Sequence, residues 1–185
     1  MAFLGGIFGG AGDRGSLPDY SFEKFKGLTE KLQVIINTAE SEPNNKDSVD
    51  IICEFTQQLI SGEKKGHDNF FDYFCEMSIY PDLVRVLGIP RVPKTVKEKL
   101  LESVSRLVVN CRRETSLYYL LSNNYVNQLI SIQFDWTDED ILGIYVSFLK
   151  SLGQRLNEKT VNFFFNRVTQ QFPLYIEGVR FFGHR

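Results

Sequence analysis

Two kinds of segment alternate along this chain, and both recur at nearly one period. Long stretches with apolar residues at steps of three and four begin near Asp47, Lys94 and Asp138, 47 and 44 residues apart. Each is followed by a shorter aromatic block. These are "NFFDYFCEMSIYPDLVRVL" from Asn69, "SLYYLLSNNYVNQLISI" from Ser116 and "NFFFNRVTQQFPLYIEGVRFF" from Asn162, 47 and 46 residues apart. A lone unit of this length cannot bury both faces of its helices, whereas stacked units share a continuous core. A period of about 40–47 residues with two or three helices per unit marks armadillo and HEAT arrays. The expected fold class is therefore all-α: an armadillo/HEAT-like α-solenoid of about three units plus one N-terminal helix.

The N-terminal helix is read from Phe22, Phe25, Leu28, Leu32, Ile35 and Ile36, and Pro43-Asn44-Asn45 stops it. The next carries Val49, Ile52, Phe55 and Leu59 on one side, with Ser61-Gly62 as its expected exit. The aromatic block after it is expected to break at Tyr80-Pro81, with Pro81 in the first turn of a further short helix. Pro90 and Pro93 bracket a linker, and Val96, Leu100, Val104, Leu107, Val108 and Cys111 mark the third long helix. In the last long helix Thr137 is the expected N-cap, and Asp138, Glu139 and Asp140 fill a first turn that favours negative charge. Its main stripe is Ile141, Tyr145, Phe148, Leu152 and Leu156, with Leu142, Val146 and Leu149 beside it. A stripe that wide implies packing on two sides, in the interior of a stack. No segment sustains the strict alternation of a strand.

Composition narrows the function classes. The formal net charge is −2, unlike the strongly basic field of a general nucleic-acid binder. Cys53, Cys75 and Cys111 form no CxxC pair and suit reduced thiols, and His67 and His184 are far apart, without zinc-site spacing. So few histidines leave little for general acid–base work. The expectation is that the chain is not an enzyme and has no catalytic, cofactor or metal site. No apolar run reaches the length of a membrane-spanning helix. The opening "MAFLGGIFGGAG" is Gly-rich and lacks the leading positive charge of a secretory signal, so residues 1–18 read as a disordered tail before a helical-repeat domain at 19–185.

Two stretches carry a resemblance. "ETSLYYLLSNNYVN" (Glu114 to Asn127) and "FPLYIEGVRFFGHR" (Phe172 to Arg185) resemble segments of the FPL-domain family, and Phe172-Pro173-Leu174 matches the triplet that names it. Between them, "FDWTDEDILGIYVSFLKSLGQRLNEKTVNFFFN" (Phe134 to Asn166) is similar to the family pattern. The earlier region matches in helical layout and at Phe70-Phe71-Asp72-Tyr73-Phe74. The resemblance implies a non-enzymatic scaffold or adaptor in endosomal–lysosomal membrane traffic, autophagy and mitophagy. It implies a cytoplasmic protein, peripheral on endosome, lysosome or Golgi membranes. Its partners would be proteins of the endosomal and autophagy machinery, with a ubiquitin ligase among the candidates; no nucleic acid or small-molecule substrate is expected. The alternatives are a component of a ubiquitin-ligase complex, or a membrane-surface module using the Gly-rich tail and the Lys/Arg clusters. Gly178 stands where the family usually has Ala, and the family continues past the His with a further helix, so the domain is expected to be truncated at its C-terminal end.

Five residues are candidates for protein interaction. Asn123 and Asn124 suit a turn, because Asn tolerates the left-handed conformation, and exposed Asn residues can also hold a bound peptide backbone. Arg112, Arg113 and Arg180 are the candidate charged contacts.

Overall fold

A computed structural model of the chain describes residues 21–39, 41 and 47–164. Within them there are eight α-helices, one 3-10 turn and no strand. Helix α1 (Phe22–Thr38) starts at Ser21, whose hydroxyl accepts the Lys24 N–H. It buries Phe25, Leu28, Leu32, Ile35 and Ile36, the stripe read from the sequence. Then come α2 (Ser48–Lys65), the short pair α3 (Asp68–Glu76) and α4 (Ile79–Leu87), α5 (Lys94–Asn110), the short pair α6 (Glu114–Leu121) and α7 (Tyr125–Ile130), and α8 (Glu139–Arg155). The 3-10 turn Val161–Phe163 closes the described chain.

Three boundaries fall elsewhere than the sequence suggests. Helix α2 does not leave at Ser61-Gly62 but runs to Lys65, and Gly66 ends it at φ 75°. Gly62 is needed instead for close packing: a Cβ there would lie 2.7 Å from the Phe70 ring of α3. The break in the first aromatic block lies at Ser78, at φ 51°, so α4 already begins at Ile79 and carries Pro81 in its first turn. The N-cap of α8 is Asp138 rather than Thr137. The Asp138 carboxylate accepts from the Asp140 and Ile141 N–H groups, while the Thr137 hydroxyl donates to Asp135.

The long helices pack in chain order, α1 on α2, α2 on α5 and α5 on α8. The short helices join one another alongside, α3 with α4, α4 with α7 and α6 with α7. Between the layers lies one core that includes Phe25, Phe55, Phe74, Tyr80, Leu120, Tyr145 and Phe148. Aromatic contacts run from one short pair to the next: the Tyr119 ring meets Phe71 at 6.0 Å, Phe74 at 6.2 Å and Tyr80 at 6.3 Å.

The period in the sequence reappears in space. Helices α2, α5 and α8 start at Ser48, Lys94 and Glu139, 46 and 45 residues apart. Both α3 to α6 and α4 to α7 are offsets of 46. Side-chain contacts between neighbouring long helices recur at similar separations, 49 residues for Arg106 with Gln57 and 46 for Ser105 with Ser151. The left-handed Ser78 and Asn124 are also 46 apart, each directly before the second helix of a short pair.

Candidate interaction surface

The α5–α6 connection gathers the densest polar contacts of the described chain. The N-cap of α6, Arg113, gives that helix no side-chain cap. The acceptor comes from α2. The buried carboxylate of Glu63 accepts the Arg112 N–H at 3.2 Å, the Arg113 N–H at 3.0 Å and the Ser116 hydroxyl at 3.4 Å. Negative charge at a helix N-terminus is favourable, and here it is supplied across the interface between long helices. From the other side the Arg155 guanidinium of α8 donates to the Cys111 carbonyl. One connection is thus held by the long helices before and after it.

Arg113 belongs to this joint. Its guanidinium reaches Glu63 at 3.3 Å, Asp68 at 3.1 Å and Asp72 at 3.5 Å, and lies 5.7 Å from the centre of the Phe71 ring. Burial works against its charge, but the three carboxylates outweigh that and hold it above its ordinary value. Arg112 is exposed, and among the described residues its guanidinium makes no ion pair. Asn123 and Asn124 form the α6–α7 turn at φ 54° and 63°, both exposed. The Asn124 side chain accepts from Asn127 at 2.9 Å, and Asn127 also reaches the Phe163 carbonyl at 3.4 Å. Arg180 lies outside the described residues. The structure therefore places Arg112 and Arg113 at one joint, leaves Asn123 and Asn124 at a separate turn, and commits the Arg113 side chain to intramolecular pairs.

Sequence reasoning missed Glu63, a single acid near a helix end, between Ser61-Gly62 and Lys64-Lys65. The usable signal was periodic: it lies 49 and 50 residues before Arg112 and Arg113.

The chemically reactive groups have visible partners. Burial pushes the Cys75 thiol up to about 11, and Asp72 adds to it; burial and then Glu63 push Cys111 up to about 12. Both are protonated at neutral pH and so weak as nucleophiles. Carboxylate oxygens of Glu98, Asp138 and Asp140 lie within 4.8 Å of one another. The Lys94 ammonium meets all three, at 3.4, 2.8 and 3.0 Å, and so offsets part of the cluster's charge with a cation of the protein itself. Its hydrogen bonds to Asp138 and then Asp140 hold Lys94 above its ordinary value, and the Lys94 bond holds Asp138 below the usual carboxylate range. No described helix is long and apolar enough to cross a membrane.

A family model named FPL and described as an uncharacterised conserved protein matches residues 52–185. The chain belongs to the FPL family. Protein CLEC16A of Mus musculus is 39% identical over 176 residues, 95% of this chain and 17% of the mouse protein. Protein CLEC16A of Homo sapiens is 41% identical over 148 residues, 80% of this chain and 14% of the human protein. Protein TRANSPARENT TESTA 9 of Arabidopsis thaliana is 35% identical over 170 residues, 89% of this chain and 20% of that protein. This FPL chain thus spans a fifth or less of the length of these relatives. No solved structure matches it.

Proposed function

We propose that this FPL chain is a non-enzymatic scaffold or adaptor in endosomal–lysosomal membrane traffic and autophagy, including mitophagy, built as an armadillo-like stack of helical units. The carrying observation is that contacts between successive long helices repeat at nearly one period, with separations of 46 and 49 residues. A stack in which each unit touches its neighbours presents extended surface rather than a closed cleft, and such arrays serve as binding platforms. The protonated Cys75 and Cys111 thiols and the pairing of Lys94 with the carboxylate cluster support assigning these groups to structure rather than chemistry. The cellular setting proposed, at the cytoplasmic face of endosomes, lysosomes or Golgi, is the one that the resemblance to the FPL family implies.

Arg112 and the turn at Asn123 and Asn124 are the exposed contacts proposed for protein partners. The test is proximity labelling in cells with the wild-type chain and a variant carrying Arg112→Glu, Asn123→Ala and Asn124→Gly. Endosomal and autophagy proteins should be enriched by the wild type and depleted in the variant. Enrichment of chaperones alone by the wild type overturns the reading.

A further inference from the structure

Helix α8 presents three sides to three environments. Ser151 and Arg155 turn toward α5, where they meet Ser105 and the Cys111 carbonyl. Ile141, Tyr145, Phe148 and Leu152 are buried in the core. Leu149 is buried with them, and the remaining arc, taken at 100° per residue, holds Glu139, Leu142, Gly143, Val146, Lys150 and Gly153. The main helical partner of α8 among the described elements is α5. Leu142 and Val146 are half-buried, Gly143, Glu139 and Lys150 are exposed, and a Cβ on Gly143 would meet nothing within 4 Å.

The helix 45 residues earlier shows what such an arc does. In α5 the position equivalent to the half-buried Val146 is Leu101, which is fully buried. Leu101 and Ser105 share one side of that helix, and Ser105 is the residue that touches α8. This arc is therefore the one through which a long helix receives its next neighbour. The outer side of α1 differs: Glu30, Lys31 and Asn37 surround Val34 there.

We infer that the outer arc of α8 is a self-complementary dimerisation surface, on which α8 of a second copy lies antiparallel. The sequence of the arc favours a second copy. An antiparallel register that places Lys150 beside the second copy's Glu139 also places Val146 over the second copy's Gly143. The two-fold axis then repeats both pairings. Gly143 supplies the hole, Val146 the knob and Leu142 the flank, and the charge pairs lie at the rim, where they set register. Among the described residues neither Glu139 nor Lys150 has an ion-pair partner. One helix face per copy is a small interface, at the low end of specific association, so a weak and reversible dimer is expected.

Sedimentation velocity across a concentration series of the 185-residue chain tests this. A monomer–dimer equilibrium is expected. Val146→Asp should leave only monomer with an unchanged helical circular dichroism spectrum. Lys150→Glu alone should weaken the dimer about tenfold, because two like-charged pairs arise across the axis. Adding Glu139→Lys should restore it. Both charged positions are exposed, so the charge swap keeps the test valid if Val146→Asp fails to fold. A monomer at every concentration overturns the inference. A dimer that survives Val146→Asp in folded protein, or a charge swap without rescue, also overturns it.

Discussion

At the scale of single residues, two buried polar groups have opposite energetics. The Tyr80 ring is fully buried among aromatic neighbours, and its hydroxyl has no hydrogen-bond partner among the described residues. An unsatisfied buried hydroxyl costs free energy, so Tyr80→Phe should be neutral or stabilise the fold by up to about 1 kcal/mol in urea unfolding. Glu63 is the reverse case, because its carboxylate satisfies two backbone N–H groups, one hydroxyl and a guanidinium. Glu63→Ala leaves the two N–H groups of the joint without their acceptor and should destabilise by about 3 kcal/mol in the same measurement. Asn124 illustrates what a sequence reveals at this scale. Its turn and left-handed backbone were legible, because Asn is among the few residues that accept that conformation. Ser78 takes the equivalent conformation without any such marker, held by the packing of the helices on either side, and so its break was misplaced by two residues.

At the scale of elements, the helices were legible wherever an apolar stripe faced the core, as were the starts of the three later long helices, while some other ends were not. Gly62 reads as a helix exit because glycine terminates helices, but here it is the contact point of α2 and α3. Only the position of Phe70, fixed by the turn at Gly66, distinguishes the two roles. Gly62→Ala would place a methyl group inside the Phe70 ring contact at 2.7 Å, and ring and helix must then shift. Although alanine favours helix by about 1 kcal/mol, overpacking at a helix crossing costs about 1–3 kcal/mol. The net expectation is a lower thermal midpoint. Gly27→Ala in α1, whose Cβ meets open space, should raise it. The pair of variants measured together separates crowding from propensity.

At the scale of the whole molecule, the all-helical make-up and the spacing of the long helices were legible and the candidate site mostly was not. Periodicity survives in apolar spacing, which sequence displays directly. The pairing of Glu63 with Arg112 and Arg113 depends on which side of α2 meets α5, and that follows only from the packing. The same packing gives the stack a definite alkaline limit. The Cys111 thiol has an ordinary value of 9.0 and is pushed up to about 12, while Cys75 goes to about 11 and Tyr119, by burial, to about 12. Between 9.0 and about 12 the unfolded chain has lost the Cys111 proton while the folded chain keeps it. Unfolding then releases a proton, so rising pH favours the unfolded state. The stabilisation is complete below 9.0 and is lost as pH climbs toward the folded value. One such group contributes a slope of at most about 1.4 kcal/mol per pH unit across that window. The thermal midpoint should therefore be flat from neutral pH to about 9 and fall steeply above it. Cys111→Ala lowers the midpoint everywhere through its cavity, but its decline above pH 9 should be shallower than that of the wild type. Parallel declines would place the alkaline sensitivity in other groups.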